Sequence, residues 1–98
     1  MQITLTNQHI SNFAFRLKHC SGSDISATHT GVFAGTKYAL EQMGLFNQNR
    51  EIVVDIDKEI INDLVRMLEI NKLKALWNIG YASGIAWVLE EFGLYKID

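Results

Sequence analysis

Two stretches of this chain, GTKYALEQMGLF at residues 35–46 and GIAWVLEEFGLY at residues 84–95, are nearly the same sequence. A shift of 49 residues brings them into register, with five identical pairs among the twelve and five more pairs of similar residues. The chain has 98 residues, which is twice this shift. The repeat therefore predicts two copies of one unit, residues 1–49 and 50–98. The alternative is that two amphipathic helices arrived independently at the Leu, Glu and Gly that such helices use.

The match continues outside these stretches in a weaker form. Ile3 aligns with Ile52 and Gly31 with Gly80 at the same shift of 49. The segment between them aligns at a shift of 50, which requires one residue gained and later one lost. The pairs at this shift are Ile10 and Ile60, Asn12 and Asn62, and Arg16 and Arg66. We therefore expect two tandem units related by an approximate internal twofold axis.

Each half predicts the order strand, helix, helix. The β-branched residues of QITLT at 2–6 and EIVVDI at 51–56 favour strands. The last helix is expected from about residue 72 to residue 92, and LYKID at the C-terminal end of the sequence is a candidate third strand. The predicted fold is a helix-dominated α+β single domain over residues 1–98. It has a short sheet of two or three strands with the helices on one side.

Three residues mark expected helix ends. Asp57 follows the second strand and is a suitable N-cap for the next helix. Gly44 and Gly93 occupy equivalent places in the two copies, where the C-terminal end of a helix needs a left-handed residue.

Residues 12–19, NFAFRLKH, fit two patterns. Phe13, Phe15 and Leu17 alternate with smaller or charged residues as in a strand, whereas Phe13, Leu17 and Cys20 lie on one stripe of a helix. The repeat favours the helix because the aligned segment of the second half has helical spacing. In that case Phe15 points away from the stripe and is a candidate for a contact outside the core.

Each copy carries two glycines four residues apart, although a glycine inside a helix costs about 1 kcal/mol relative to alanine. Gly31 and Gly35, and likewise Gly80 and Gly84, would line one face of a helix and allow another backbone to approach closely. We predict that the second helices of the two units cross at these glycines. For Gly31 the alternative is that it simply ends the polar loop before the helix.

The last helix is apolar on almost every side, which predicts that it is buried on every side. In a chain of 98 residues, a homodimer interface or the docking of another protein would cover what the fold itself cannot. The alternative is a central helix with the first-half helices wrapped around it. The candidate interface residues are Phe15, Trp77, Tyr81, Ile85 and Trp87.

Composition narrows the classes of function. The nine Lys and Arg and eleven Asp and Glu give a net charge of -2, far from the basic balance of proteins that wrap nucleic acid. A single cysteine, Cys20, fits a reducing compartment, and the N-terminal residues do not have the pattern of a signal peptide. The longest uncharged run, residues 75–89, is too short to cross a bilayer. We therefore expect a cytoplasmic protein without a membrane partner.

The sequence contains no clear motif of a catalytic or metal-binding site. The three histidines and Cys20 do not have the spacing of a zinc site. Asp55 and Asp57 could hold Mg²⁺ together, but capping accounts for Asp57 and no third ligand stands at a recognisable distance. The serines of residues 21–29 lack a nucleophile elbow. We expect no catalytic residue, no metal and no cofactor, so the protein is predicted not to be an enzyme.

The leading hypothesis is a small protein-protein interaction module, homodimeric, that acts as an adaptor or inhibitor of another macromolecule. Phages and other mobile elements encode small proteins of this sort, and the comparison is one of analogy only. The second hypothesis is a nucleic-acid-binding transcriptional regulator. Its basic strip would be interrupted by acidic residues, as on an ordinary solvated face. The candidate residues for that contact are Arg16, Lys18, Arg66, Lys72 and Lys74.

Overall fold

A computed structural model describes residues 1–21 and 26–96. The order of elements is strand, helix, helix, strand, helix, helix. The described residues form two strands and four helices, so the expected helix-dominated α+β class is confirmed. The strands are β1 (Gln2–Leu5) and β2 (Ile52–Asp55), and the helices are α1 (Asn7–His19), α2 (Ala27–Gln42), α3 (Lys58–Asn71) and α4 (Leu76–Glu91).

The two strands pair antiparallel, with Thr4 opposite Val53. Side chains alternate between the faces: Ile3 and Leu5 are buried, while the residues between and beside them are exposed. Strand β2 alternates in the same way at lower burial. This period of two shows that the helices cover only one face of the sheet.

The predicted third strand is not formed by residues 94–96, and the last two residues of LYKID lie outside the described part of the chain. The backbone NH of Leu94 donates to the carbonyl of Leu89 at 2.9 Å. The Tyr95 hydroxyl donates to the Glu69 carboxylate on α3 at 3.3 Å. These two bonds hold the segment against the helices, away from the sheet edge.

Side chains at the N-terminal ends of α1 and α3 accept the free backbone NH groups. The Thr6 hydroxyl accepts from the NH of His9 at 3.2 Å, and the His9 ring accepts from the NH of Thr6 at 3.1 Å. Asp57 accepts from the NH of Glu59 at 3.0 Å, so the predicted Asp57 cap is confirmed. Residues 12–19 belong to α1, and the helical interpretation of that segment is correct.

Helices α2 and α4 end in the same way. Gly44 and Gly93 have φ of 73° and 69°, the left-handed conformation that the sequence predicts for them. After each glycine, a leucine NH reaches back five residues, from Leu45 to Leu40 and from Leu94 to Leu89. This pair of Schellman motifs satisfies the last carbonyls of both helices.

The helices α2 and α4 pack with their backbones in contact. A Cβ atom placed on Gly31 would lie 2.0 Å from the carbonyl oxygen of Trp77, and one on Gly80 would lie 2.0 Å from that of Thr28. Any side chain at these positions would push the helices apart, because real Cβ atoms do not come within 3.0 Å of such neighbours. Gly35 and Gly84 lie in the same contact, against the carbonyl oxygens of Tyr81 and Val32.

The core lies between the covered face of the sheet and the helices, with α3 and α2 both packed on α4. Its fully buried side chains include Leu5, Thr36, Leu64, Ile85, Val88 and Leu89. Helix α4 begins at Leu76, later than the sequence suggests, and its first turn is exposed. The prediction that this helix is buried on every side is therefore wrong for that turn, because α2 meets its backbone at Trp77 but leaves the side chains of Leu76, Trp77 and Ile79 exposed.

Candidate interaction surfaces

Five large apolar side chains are exposed within ten residues of chain, where α3 ends and α4 begins. Leu73 is 88% exposed, Leu76 63% and Ile70 50%, and more than a third of Trp77 and of Ile79 is exposed. Single exposed leucines are common on protein surfaces, but five exposed large apolar side chains so close in sequence make a candidate interaction site. We call this set, Ile70, Leu73, Leu76, Trp77 and Ile79, the apolar corner.

Two asparagines hold the apolar corner in shape. The Asn78 amide of α4 donates to the Asn71 side-chain oxygen of α3 at 2.8 Å. The Asn71 amide in turn donates to the carbonyl of Met67 at 2.7 Å. Asn71 is buried, so these bonds are shielded from water and fix the angle between the two helices. Sequence reasoning missed both residues, since two asparagines seven apart form no recognisable motif.

Two of the charged residues beside the apolar corner pair with each other, whereas Lys74 is exposed within it. Lys72 and Glu69 form an ion pair one helical turn apart. The hydrogen bond from Lys72 lowers the pKa of the Glu69 carboxyl, and the same bond raises the pKa of Lys72. Both side chains are well solvated, so the pair contributes little to stability. Because the charges of Lys72 and Glu69 cancel, these two residues add no net charge beside the apolar corner.

The structure separates the five predicted interface residues. Ile85 is fully buried and belongs to the core, so it is no longer a candidate for an interface. Trp77 lies in the apolar corner, and its ring stacks on that of half-buried Tyr81 with centroids 5.1 Å apart. Phe15 is 66% exposed on α1. Trp87 is half-buried and lies beneath a side chain of α1 rather than open to a partner.

That side chain is Arg16, whose Cζ atom lies 3.6 Å from the centroid of the Trp87 ring. Trp87 in turn meets the edge of Phe13, with ring centroids 5.4 Å apart. Burial lowers the pKa of the Arg16 guanidinium, against an opposing effect of Cys20 and Glu91. Arg16 is thus a partly desolvated cation held flat on an aromatic face.

The other predicted basic residues do not join into one strip. Arg66 donates to Asp63 at 2.6 Å, and Lys72 pairs with Glu69, so both are neutralised locally. Lys18 and Lys74 are exposed. Only Arg16 and Lys72 come together, on the wall of one cleft.

Arg16 and Arg66 are also not structurally equivalent. The caps Thr6 and Asp57 are 51 residues apart, and so are the buried residues Phe13 and Leu64. The caps and these buried residues therefore correspond at a separation of 51, one more than the shift of 50 that aligns Arg16 with Arg66 in the sequence.

The residues considered for chemistry are spread over the fold. His19, Cys20 and His29 line one cleft, whereas His9 caps α1. Asp55 binds the amino group of Met1 at 2.9 Å, and Asp57 is the cap of α3. Within the described ranges, no three His, Cys, Asp or Glu side chains lie close enough together to hold a metal ion.

None of the helices in the described residues combines the length and the apolar content that a membrane-spanning segment needs. Comparison of the chain with protein-family models, with curated protein sequences and with solved structures gave no significant match.

Proposed function

We propose that this protein is a small non-enzymatic interaction module that forms a homodimer through its apolar corner. The observation that carries the proposal is Leu73, a large apolar side chain that is 88% exposed among four others that are also exposed. A twofold pairing places the same patch of both copies face to face, so one surface suffices for both partners.

The energetics favour this surface. Full burial of a leucine side chain is worth about 1.5 to 3 kcal/mol, so several of them together can supply micromolar affinity after the cost of association. The Asn71 and Asn78 bonds keep the corner in one shape before it binds. A preformed surface loses less conformational entropy on binding than a flexible one.

The biological role that suits such a module is that of an adaptor or inhibitor that engages another macromolecule. The chain presents binding surfaces, and it offers no assembled group for catalysis among the described residues. Phage and mobile-element proteins of similar size act in this way, which is an analogy of size and class.

Solution mass measured by light scattering over a wide concentration range tests the dimer. The wild type is expected at twice its monomer mass of 11.1 kDa. The double variant Leu73→Asp, Leu76→Asp is expected to weaken the dimer at least about 100-fold, because it places two charges in an apolar contact.

The control is Phe15→Asp, which adds the same kind of charge at an exposed apolar residue on another helix. It is expected to leave the dimer intact. A wild type that stays monomeric up to millimolar concentration overturns the homodimer. A dimer that Phe15→Asp breaks while the double variant does not would move the interface from the apolar corner to α1.

We also propose that the two strand-helix-helix units arose by duplication and pack about an approximate twofold axis. The glycine contacts support this because they are reciprocal. Gly31 meets Trp77 and Gly80 meets Thr28, and these pairs exchange under a shift of 49. The boundaries of α2 and α4 and their left-handed glycines differ by the same shift.

A further inference from the structure

The Arg16 side chain stands at the meeting point of two clefts. The first, of about 450 Å³, lies between α1, α2 and α4. The second, of about 440 Å³, lies between α1, α3, α4 and the segment that follows α4. Both volumes are within the range of sites that hold small molecules. Ile79 is the one residue of the apolar corner that lines the second cleft, and no residue of the corner lines the first.

The first cleft is rich in nitrogen donors. Its lining residues are Asn12, Phe15, Arg16, His19, Cys20, His29, Val32 and Trp87. None of these residues is a carboxylate, and Arg16 forms no ion pair with any residue of the described ranges. The Glu91 carboxylate acts on Arg16 electrostatically but is not among the residues that line this cleft, and within the described ranges no salt bridge occupies the guanidinium. A partly buried guanidinium of this kind is suited to receive an anion, phosphate above all.

The rim of this cleft offers a flat aromatic surface. The Phe15 ring is 66% exposed and lies 4.1 Å from the ring of His19, centroid to centroid. Exposed aromatic rings beside a cation are the parts with which proteins stack and hold an unpaired nucleobase. Phe15 and Arg16 line the same cleft, so the stacking surface and the charge are both presented to a ligand there.

The second cleft extends the positive charge. Arg16 and Lys96 line it, together with the phenol of Tyr95 and with Lys72, whose charge is paired with Glu69. The whole chain nevertheless has a net charge of -2, which opposes a long contact with a polyanion. These two facts together favour recognition of one or two phosphates over the coating of a nucleic-acid backbone.

We propose that the cleft around Arg16 is a binding site for a nucleotide unit, with the phosphate on Arg16 and the base stacked on Phe15. The same chemistry is presented by a free nucleotide and by an unpaired residue of a single strand. The site is independent of the proposed dimer contact, so either proposal can fail without the other.

Tryptophan fluorescence provides the test, because Trp87 lies directly under Arg16. The chain has two tryptophans, and Trp77→Phe leaves Trp87 as the only emitter. The protein is titrated with adenosine monophosphate, adenosine, inorganic phosphate and a five-residue oligothymidylate. The expected result is saturable quenching by the monophosphate or the oligonucleotide with a Kd below about 1 mM, and at least about tenfold weaker binding of adenosine and of phosphate alone.

Which probe binds identifies the source of the ligand. Tighter binding of the oligonucleotide assigns the site to a single strand, with a salt dependence equivalent to one or two phosphates. Tighter binding of the monophosphate assigns it to a free nucleotide. Failure of all four probes at 10 mM overturns the proposal, and so does binding of phosphate as tightly as the nucleotides, since the base would then contribute nothing.

Matched variants locate the site. Arg16→Gln is expected to weaken binding at least tenfold, whereas Arg66→Gln removes an equal charge from an exposed arginine on α3 and is expected to have no effect. Phe15→Ala is expected to weaken binding about five- to tenfold without loss of stability, since Phe15 is mostly exposed. Phe15→Ala therefore tests the location of the site even if Arg16→Gln impairs folding. Equal loss of binding in Arg66→Gln would overturn the assignment.

Discussion

The two halves of this molecule agree where they touch each other and differ where they face outward. Helices α2 and α4 have the same length, the same glycine spacing and the same left-handed ending. Helices α1 and α3 differ, since three apolar side chains of α3 are buried, whereas in α1 only Phe13 is. Contact between backbones tolerates almost no variation, whereas an outer helix can change its side chains and keep its place. The outward faces also differ in their candidate surfaces, since Phe15 and Arg16 lie on α1, whereas the apolar corner lies on α3, α4 and the turn between them.

The largest expected effect comes from the glycine crossing. Gly31→Ala and Gly80→Ala each place a methyl group 2.0 Å from a carbonyl oxygen of the opposite helix. Because backbone cannot yield as a flexible side chain can, each variant is expected to lose about 3 kcal/mol or more of unfolding free energy, or not to fold. Urea denaturation followed by circular dichroism measures this loss.

The control for the crossing is Gly44→Ala. Nothing lies within 4 Å of a Cβ atom at Gly44, but its φ is positive, so alanine is expected to cost only about 1 to 2 kcal/mol. A near-neutral Gly31→Ala would contradict backbone contact. A large loss in Gly80→Ala and a small one in Gly31→Ala would show that the two halves do not share the crossing equally.

A second difference between the halves lies at one core position. Thr36 is fully buried, and its hydroxyl has no hydrogen-bond partner among the described residues. The residue 49 positions later is Ile85, which is also fully buried and carries no polar atom on its side chain. Thr36→Val keeps the shape and removes the unpaired hydroxyl, so it is expected to stabilise the protein by about 1 to 2 kcal/mol.

Thermal and urea unfolding of this variant measure the gain. Thr30→Val is the control, since the Thr30 hydroxyl is exposed and donates to the carbonyl of Ser26 at 3.1 Å. It is expected to change stability by less than about 0.5 kcal/mol. A Thr36→Val variant that is less stable than the wild type would show that the hydroxyl is satisfied.

The smallest expected effect concerns the helix caps. Ser26 accepts from the NH of His29 at the start of α2, whereas Ala75 at the equivalent position of α4 offers no side-chain acceptor. Ala75 already has the extended backbone of an N-cap. Ala75→Ser is therefore expected to add about 0.5 kcal/mol, and Ser26→Ala to remove about the same from α2. Urea denaturation of both variants checks the pair, and a loss on Ala75→Ser would contradict equivalent helix starts.

Local signals predicted much of this fold. Asp57 as a cap and Gly44 and Gly93 as left-handed endings follow from residues within one turn of the feature concerned. The helix over residues 12–19 was instead favoured by its alignment with the second half. The candidate third strand is not formed by residues 94–96, and the predicted burial of the first turn of α4 is wrong. Each depends on which distant element covers a segment, and composition alone carries no such information.

The candidate sites depended even more on long-range packing. Helical spacing was enough to predict that Phe15 faces outward. Trp77 could be recognised because it belongs to a helix with more apolar surface than a small fold can cover. The meeting of Arg16 with Trp87 could not, because the two residues are 71 positions apart and no pattern links them. The hydrogen bond between Asn78 and Asn71 could not be predicted either, because its contribution to stability depends on the burial of Asn71.

The sequence by itself determined the secondary structure, the helix endings and the spacing of the glycines, since these depend on backbone conformation and on contacts within a few residues. The crossing of α2 and α4 at these glycines was also predicted, but only the tertiary structure decided that Ile85 is core and that Leu73 and Leu76 are exposed. The physical reason is that burial and charge pairing depend on the distances between elements. Those distances are fixed when the helices pack. Here α2 and α4 approach each other as closely as their four glycines at the crossing allow, because glycine has no side chain.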